Sequence, residues 1–222
     1  MRCGAIIFDF DGVLLESEFE GNRHLAGLLT ELGYPTSVDE ALTHFIGLSG
    51  ADFVAAIESR IGARLPADFH DLRAAQEERV LREGLAAVAG AVEFVRSLPA
   101  DLPKAVASSS SVAWVETHLK HLGLSDYFGG HLYSGREHVE RGKPAPDLYL
   151  HAAGQLGVPI DRCAIIEDSE VGAKGALASG AYVIGLVAGS HCRPLHDARL
   201  RAIGARDIAR DFDEVRRFLE SG

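Results

Sequence analysis

Ile6-Ile7-Phe8-Asp9-Phe10-Asp11-Gly12-Val13-Leu14 decides how the rest of the chain is read. Residues 5–8 form an unbroken apolar run of strand length, which predicts a short buried strand. Asp9 and Asp11 follow two residues apart, with Gly12 directly behind. On an extended backbone, residues i and i+2 point to one side, so two carboxylates face one spot at the end of that strand. Their repulsion must be relieved by a cation, a shared proton or a reacting group. A hard, oxygen-rich site of this kind suits Mg²⁺. Alone, the motif reads more readily as a pair of solvated acids in a turn, so the remaining sequence has to decide.

Directly after Leu14 the pattern becomes helical. Residues 16–32 place Phe19, Leu25, Leu28, Leu29 and Leu32 close to helical spacing, and Gly33 and Pro35 stop the run. Ser37-Val38-Asp39-Glu40 is a capping box opening a second helix through Phe45. A third helix starts at Ser49 or Gly50 and runs to Ile61. A fourth starts at Pro66 and ends near Gly84. Four helices without a strand predict a helical domain over 16–85, inserted into a core made of 1–15 plus 86–222.

Beyond residue 88 the chain alternates. Strands are expected at 104–107, 131–133, 163–166 and 182–187, and helices at 92–98, 112–122, 146–156, 171–179 and 213–219. Residues 188–210 read as a loop followed by a short helix. Alternation of this kind implies an α/β fold: a three-layer, doubly wound parallel sheet with helices on both faces. Ligands of such sheets sit outside the carboxyl ends of the strands.

The polar residues at those ends are informative together. Ser108 and Ser109 follow the second strand and precede a helix near Ser111, where a hydroxyl and free N–H groups can cradle a phosphate; alone they read as N-caps. Glu167 and Asp168 end another strand, as further metal ligands or as caps for the next helix. Lys143 lies in Gly142-Lys143-Pro144-Ala145-Pro146-Asp147, where two prolines would stiffen the backbone and hold the ammonium in place; alone it reads as a solvated surface lysine before a helix that starts with proline. Carboxylates, a hydroxyl, N–H groups and one cation converging on a sheet edge are what phosphoryl transfer requires.

Composition narrows the partners. A formal net charge of −10 without a Lys or Arg block argues against nucleic acid and anionic membranes. Cys3, Cys163 and Cys192 are odd in number and match no zinc spacing, which suits free thiols in a reducing cytoplasm. No leader and no apolar run long enough to span a membrane are read from the sequence. A phosphorylated small molecule is the expected partner, and a monomer or weak homodimer the expected state. The ten histidines show no H-x-x-x-H pair on an expected helix face, so no metal site is expected among them. Trp114 is expected in the core.

The ordered set resembles the haloacid dehalogenase superfamily, and within it the β-phosphoglucomutase-like phosphatases. The resemblance spans nearly the whole chain: Asp9-Phe10-Asp11-Gly12-Val13, then Ser108, then Lys143-Pro144-Ala145-Pro146-Asp147, then Glu167-Asp168-Ser169 with Gly172 and Gly180. It implies a Rossmann-type core with a helical cap and an aspartyl-phosphate mechanism. Asp9 would be the nucleophile and Asp11 the general acid, then base. Mg²⁺ would be held by Asp9, the Asp11 backbone carbonyl, Asp168 and Glu167, the last directly or through water. Ser108 and Lys143 would hold the phosphoryl group, with an N–H from Ser109. Asp11 sets the chain apart from true dehalogenases and ion-pumping relatives. The mutases of this group carry a His and an Arg where Gly21 and Gly50 align, so hydrolysis is favoured over mutase chemistry. A sugar phosphate phosphatase is the first expectation, a mutase the alternative, and a non-catalytic phosphate-binding protein the third. Glu16, Glu18, Glu20, Arg23, His24 and Ser49 are candidates to face the leaving group, with Gly84 and Gly90 as hinge material for cap closure.

Overall fold

The structure, a computed structural model, describes residues 3–46, 48 and 50–221. Gly47 and Ser49, the latter a candidate to face the leaving group, lie outside the described residues. The chain forms two compact units: one runs up to Glu16 and resumes at Ala86, and the other is Ser17–Leu85.

The larger unit is built on six strands: β1 (Ala5–Phe8), β2 (Lys104–Ser108), β3 (Leu132–Ser134), β4 (Cys163–Glu167), β5 (Tyr182–Leu186) and β6 (Asp207–Ala209). Their order is β3-β2-β1-β4-β5-β6, and every pairing is parallel. The order reverses at β1, which pairs with β2 on one side and β4 on the other, as in a doubly wound sheet. Because β1 is covered on both faces, all four of its residues are buried, and it reads as a continuous apolar run rather than an alternation. Ala5 and Ile7 join a core with Leu148, Tyr149, Ala152 and Ile165. On the other face Phe8 packs edge-on against Phe94 and Phe128, with ring centroids 6.1 and 5.9 Å away.

The helices of the smaller unit are α1 (Ser17–Glu31), α2 (Val38–His44), α3 (Gly50–Ile61) and α4 (Phe69–Glu83). The capping box at Ser37 and Glu40 is formed in both directions. Helix α4 begins three residues after Pro66, because Pro66–Asp68 form a turn whose first carbonyl accepts from Phe69 N–H at 3.0 Å. Leu25, Leu28, Leu29, Ala41, Phe45, Ile57 and Phe69 make this unit's own core.

The core helices are α5 (Ala91–Ser97), α6 (Val112–Leu122), α7 (Asp147–Leu156), α8 (Glu170–Ser179), α9 (His196–Ala202) and α10 (Phe212–Ser221). Strand β6, not expected from the sequence, follows α9; three residues at a sheet edge leave too short a pattern to read. The expected domain boundary after residue 15 moves to Glu16. Glu16 N–H donates to Ala86 O at 3.0 Å, and Val88 N–H donates to Leu14 O at 3.1 Å, so the two crossings run side by side. No helix among the described residues is long and apolar enough to cross a membrane.

Candidate active site

The site lies where β1, β2 and β4 end, at the reversal of strand order. Asp9 directly follows β1, and its N–H still donates to Ile166 O at 2.9 Å, so the ladder itself aims the nucleophile candidate. Glu167 ends β4 and Asp168 follows it. Asp9, Glu167 and Asp168 are all buried, and one carboxylate oxygen from each lies within 4.8 Å of the others. Lys143 Nζ bridges this group, donating to Asp9 Oδ1 and, at 2.7 Å, to Glu167 Oε1.

The lysine is placed by its loop. The Lys143–Pro144 bond is cis, Ala145 N–H donates to Gly142 O at 3.0 Å, and Arg141 forks onto Asp147 at 2.9 and 2.8 Å. Helix α8 lets that loop approach through Gly175, where a Cβ would sit 2.9 Å from Ala145 O. Gly12, at φ +87°, makes room in the same way, since a Cβ there would lie 2.1 Å from Asp168 Oδ2.

Burial raises the Asp9 carboxyl well above its usual range, and its acidic neighbours Glu167, Asp168 and Asp11 add to the effect against the pull of Lys143. Burial also opposes charge on Glu167 and on Lys143, but mutual pairing prevails. Glu167 is held below the usual carboxylate range by Lys143, by Ser169 and by Tyr149. Lys143 is raised well above the usual lysine value by Asp9 and Glu167. Lys143 pairs with two of the three carboxylates, Asp9 and Glu167, and Asp9 is the one on which a negative charge is least favoured in the absence of a further cation. A buried all-oxygen donor set with surplus negative charge fits a hard dication such as Mg²⁺.

Asp11 sits apart in a cage of donors. Ser108 Oγ and Ser110 Oγ donate to Oδ2 at 3.1 and 2.7 Å, and Trp114 Nε1 donates to Oδ1 at 3.0 Å. Trp114 is therefore half-buried beside the site rather than a plain core residue. Ser109 is exposed at the end of β2.

Several participants were not identified from the sequence. Tyr149, fully buried on α7, donates to Glu167 Oε1 at 2.7 Å, and Lys143 Nζ lies 5.1 Å from its ring centroid. His191 Nε2 lies 2.9 Å from Asp168 Oδ2. Glu16, one of the candidates to face the leaving group, is buried and accepts from Ser190 N–H at 3.1 and 3.0 Å and from Ser190 Oγ at 2.9 Å. Arg23 is engaged with Glu20 at 2.7 Å. Ser110 alone carried a sequence signal, as the next hydroxyl in the serine run; the others come from elements distant in the chain.

A lysine and a buried acid cluster at the switch point of a doubly wound sheet define a phosphoryl-transfer class of site. The chain matches the haloacid dehalogenase-like hydrolase family over residues 3–180 and belongs to it. Among its relatives is the Escherichia coli 6-phosphogluconate phosphatase, 27% identical with 87% of each chain covered. The E. coli fructose-1-phosphate phosphatase is 30% identical, covering 81% of this chain and 94% of its own. A solved haloacid dehalogenase family hydrolase from Deinococcus radiodurans, with bound phosphate and sodium, superposes with a TM-score of 0.89 at 34% identity, covering 98% and 95% of the two chains. Membership and relatives together support an enzyme that hydrolyses phosphoric monoesters.

Proposed function

We propose that the protein is a Mg²⁺-dependent phosphatase of a small phosphorylated metabolite, a sugar phosphate by class, acting through an aspartyl-phosphate on Asp9. The observation that carries this reading is the grouping of Asp9 with Lys143, Glu167 and Asp168 beside a separately caged Asp11. Asp9 and Asp168, with the Asp11 carbonyl, are the ligands available to the metal. Both Glu167 oxygens already accept donors from Lys143, Tyr149 and Ser169, so Glu167 chiefly fixes the lysine and adds charge. When bound, Mg²⁺ neutralises charge on the phosphoryl oxygens.

An Asp9 carboxylate oxygen attacks phosphorus, and the bond to the substrate oxygen breaks as Asp11 delivers a proton to it. Asp11 then takes a proton from water, whose oxygen attacks phosphorus and releases Asp9 and inorganic phosphate. Ser108 and Ser110 hydroxyls can turn to donate or accept, so one cage serves both protonation states of Asp11, whereas the indole of Trp114 only donates. Ser108, Lys143 and the Ser109 N–H are the groups proposed to hold the phosphoryl oxygens.

The names of the relatives support a polyol phosphate, and Gly21 and Gly50 offer no side chain to clamp a second phosphate, which supports hydrolysis over mutase chemistry. The free cysteines Cys3, Cys163 and Cys192 support a reducing compartment such as the cytoplasm. Asp9→Asn is expected to lower turnover of an aryl phosphate by at least about 10³-fold while circular dichroism and melting stay near those of the parent. Substantial residual turnover in a folded Asp9→Asn protein would overturn the role of Asp9.

A further inference from the structure

The loop after β5 carries a second cluster, of different chemistry. His191, Cys192 and His196 each offer one ligand atom, and the three atoms lie within 4.8 Å of one another. Spacing along single helices did not suggest this grouping, because it forms between a loop and the first residue of α9. Cys192 Sγ lies 3.5 Å from His191 Nε2. The two imidazoles stand nearly perpendicular, at 85°, with centroids 5.7 Å apart.

Three features hold the cluster in place. Ser190 is tied to the buried Glu16 carboxylate through its N–H and its hydroxyl. The His191 ring fits because Gly189 and Gly12 are bare: a Cβ at Gly189 would lie 2.6 Å from ring atoms, and one at Gly12 would lie 2.9 Å from Cε1. His196 Nε2 is 2.7 Å from the Asp168 carbonyl oxygen, which can only accept. That bond fixes the Nε2–H tautomer and leaves the lone pair on Nδ1, the outer-shell arrangement typical of metal-bound histidine.

We propose that His191, Cys192 and His196 form a binding site for a thiophilic divalent cation of the Zn²⁺ class, distinct from the acidic cluster. One sulfur and two imidazole nitrogens suit Zn²⁺ or Co²⁺ and are poor ligands for Mg²⁺. Three protein ligands leave a fourth position for water or substrate. On binding, the Cys192 thiol proton leaves to solvent and the thiolate takes the ion. His191 Nε2 lies 2.9 Å from Asp168 Oδ2, so an ion held by His191 would sit next to a residue of the acidic cluster.

The test uses the full chain, stripped of metal and titrated with Co²⁺ under saturating Mg²⁺. The expected result is one tightly held Co²⁺ with thiolate-to-cobalt charge-transfer absorption, displaced by Zn²⁺ and not by Mg²⁺. Cys192→Ser should abolish that absorption, and Asp9→Asn should keep it. His196→Gln should weaken binding by more than the roughly 10–100-fold that loss of an outer-shell partner causes, and it carries the test should Cys192→Ser fail to fold. Absence of the band, its persistence in a folded Cys192→Ser protein, or displacement of Co²⁺ by Mg²⁺ would overturn the proposal.

Discussion

At the scale of single residues, Asp11 shows how a side chain can be prepared for two roles. Three of its donors come from one short segment, residues 108–114, that begins at the end of β2. Two are hydroxyls that can reverse direction and one is an indole that cannot. Trp114→Phe keeps the ring and removes that N–H. A hydrogen bond to a charged group contributes about 1.5–3 kcal/mol, so kcat is expected to fall about tenfold or more with KM little changed. Unchanged kcat in steady-state kinetics would reduce Trp114 to packing. Asp9, Asp11, Ser108, Lys143, Glu167 and Asp168 could be picked out in the sequence because each is polar where an apolar strand or a proline-bounded loop ends. Trp114, Tyr149 and His191 could not. Each reaches the site from a helix or loop, and its partner is set by packing rather than by spacing.

At the scale of elements, α8 works through what it lacks. Its first turn leaves Gly172 where a Cβ would stand 1.6 Å from Glu167 Oε1, and its next turn leaves Gly175 against the Lys143 loop. Glu167 cannot yield, since four hydrogen bonds hold it. Gly172→Ala is therefore expected to destabilise by about 1–3 kcal/mol or more. Gly21→Ala, in α1 with nothing within 4 Å of the new Cβ, is expected to stabilise by up to about 1 kcal/mol. Urea unfolding of both variants checks the contrast, and equal effects would show that space at Gly172 is not limiting. Most elements were legible because their apolar periods were long and their ends were marked, as at Ser37 and at Gly123, which closes α6 at φ +65°. The start of α4 was misplaced because Pro66 marks a turn as well as it marks a first helical residue. Strand β6 escaped because three residues carry no period.

At the scale of the molecule, one buried imidazole makes stability depend on pH in the acid range. His118 is fully buried, its ring centroid 4.2 Å from that of Trp114, and neither ring nitrogen has a hydrogen-bond partner among the described residues. Burial, with a smaller push from His121, lowers it to about 4, against the attraction of Asp11. The unfolded chain binds this proton near pH 6.5 and the folded one near 4, so stability falls as pH drops through that window and the loss is complete below it. The loss amounts to roughly 3 kcal/mol. His118→Leu is expected to flatten the pH dependence of the urea midpoint between those limits; parallel curves for parent and variant would remove His118 as the cause.

The adjacent crossings at Leu14–Glu16 and Ala86–Val88 set a further property of the chain. Polypeptide leaves and re-enters the sheet unit across a gap of one hydrogen bond, so the strands around it need not know how many residues lie between. A tight reverse turn could close that gap as readily as the 69 residues of Ser17–Leu85 do. The helical segment is therefore expected to tolerate lengthening, exchange or removal at this single seam while the strands keep their path.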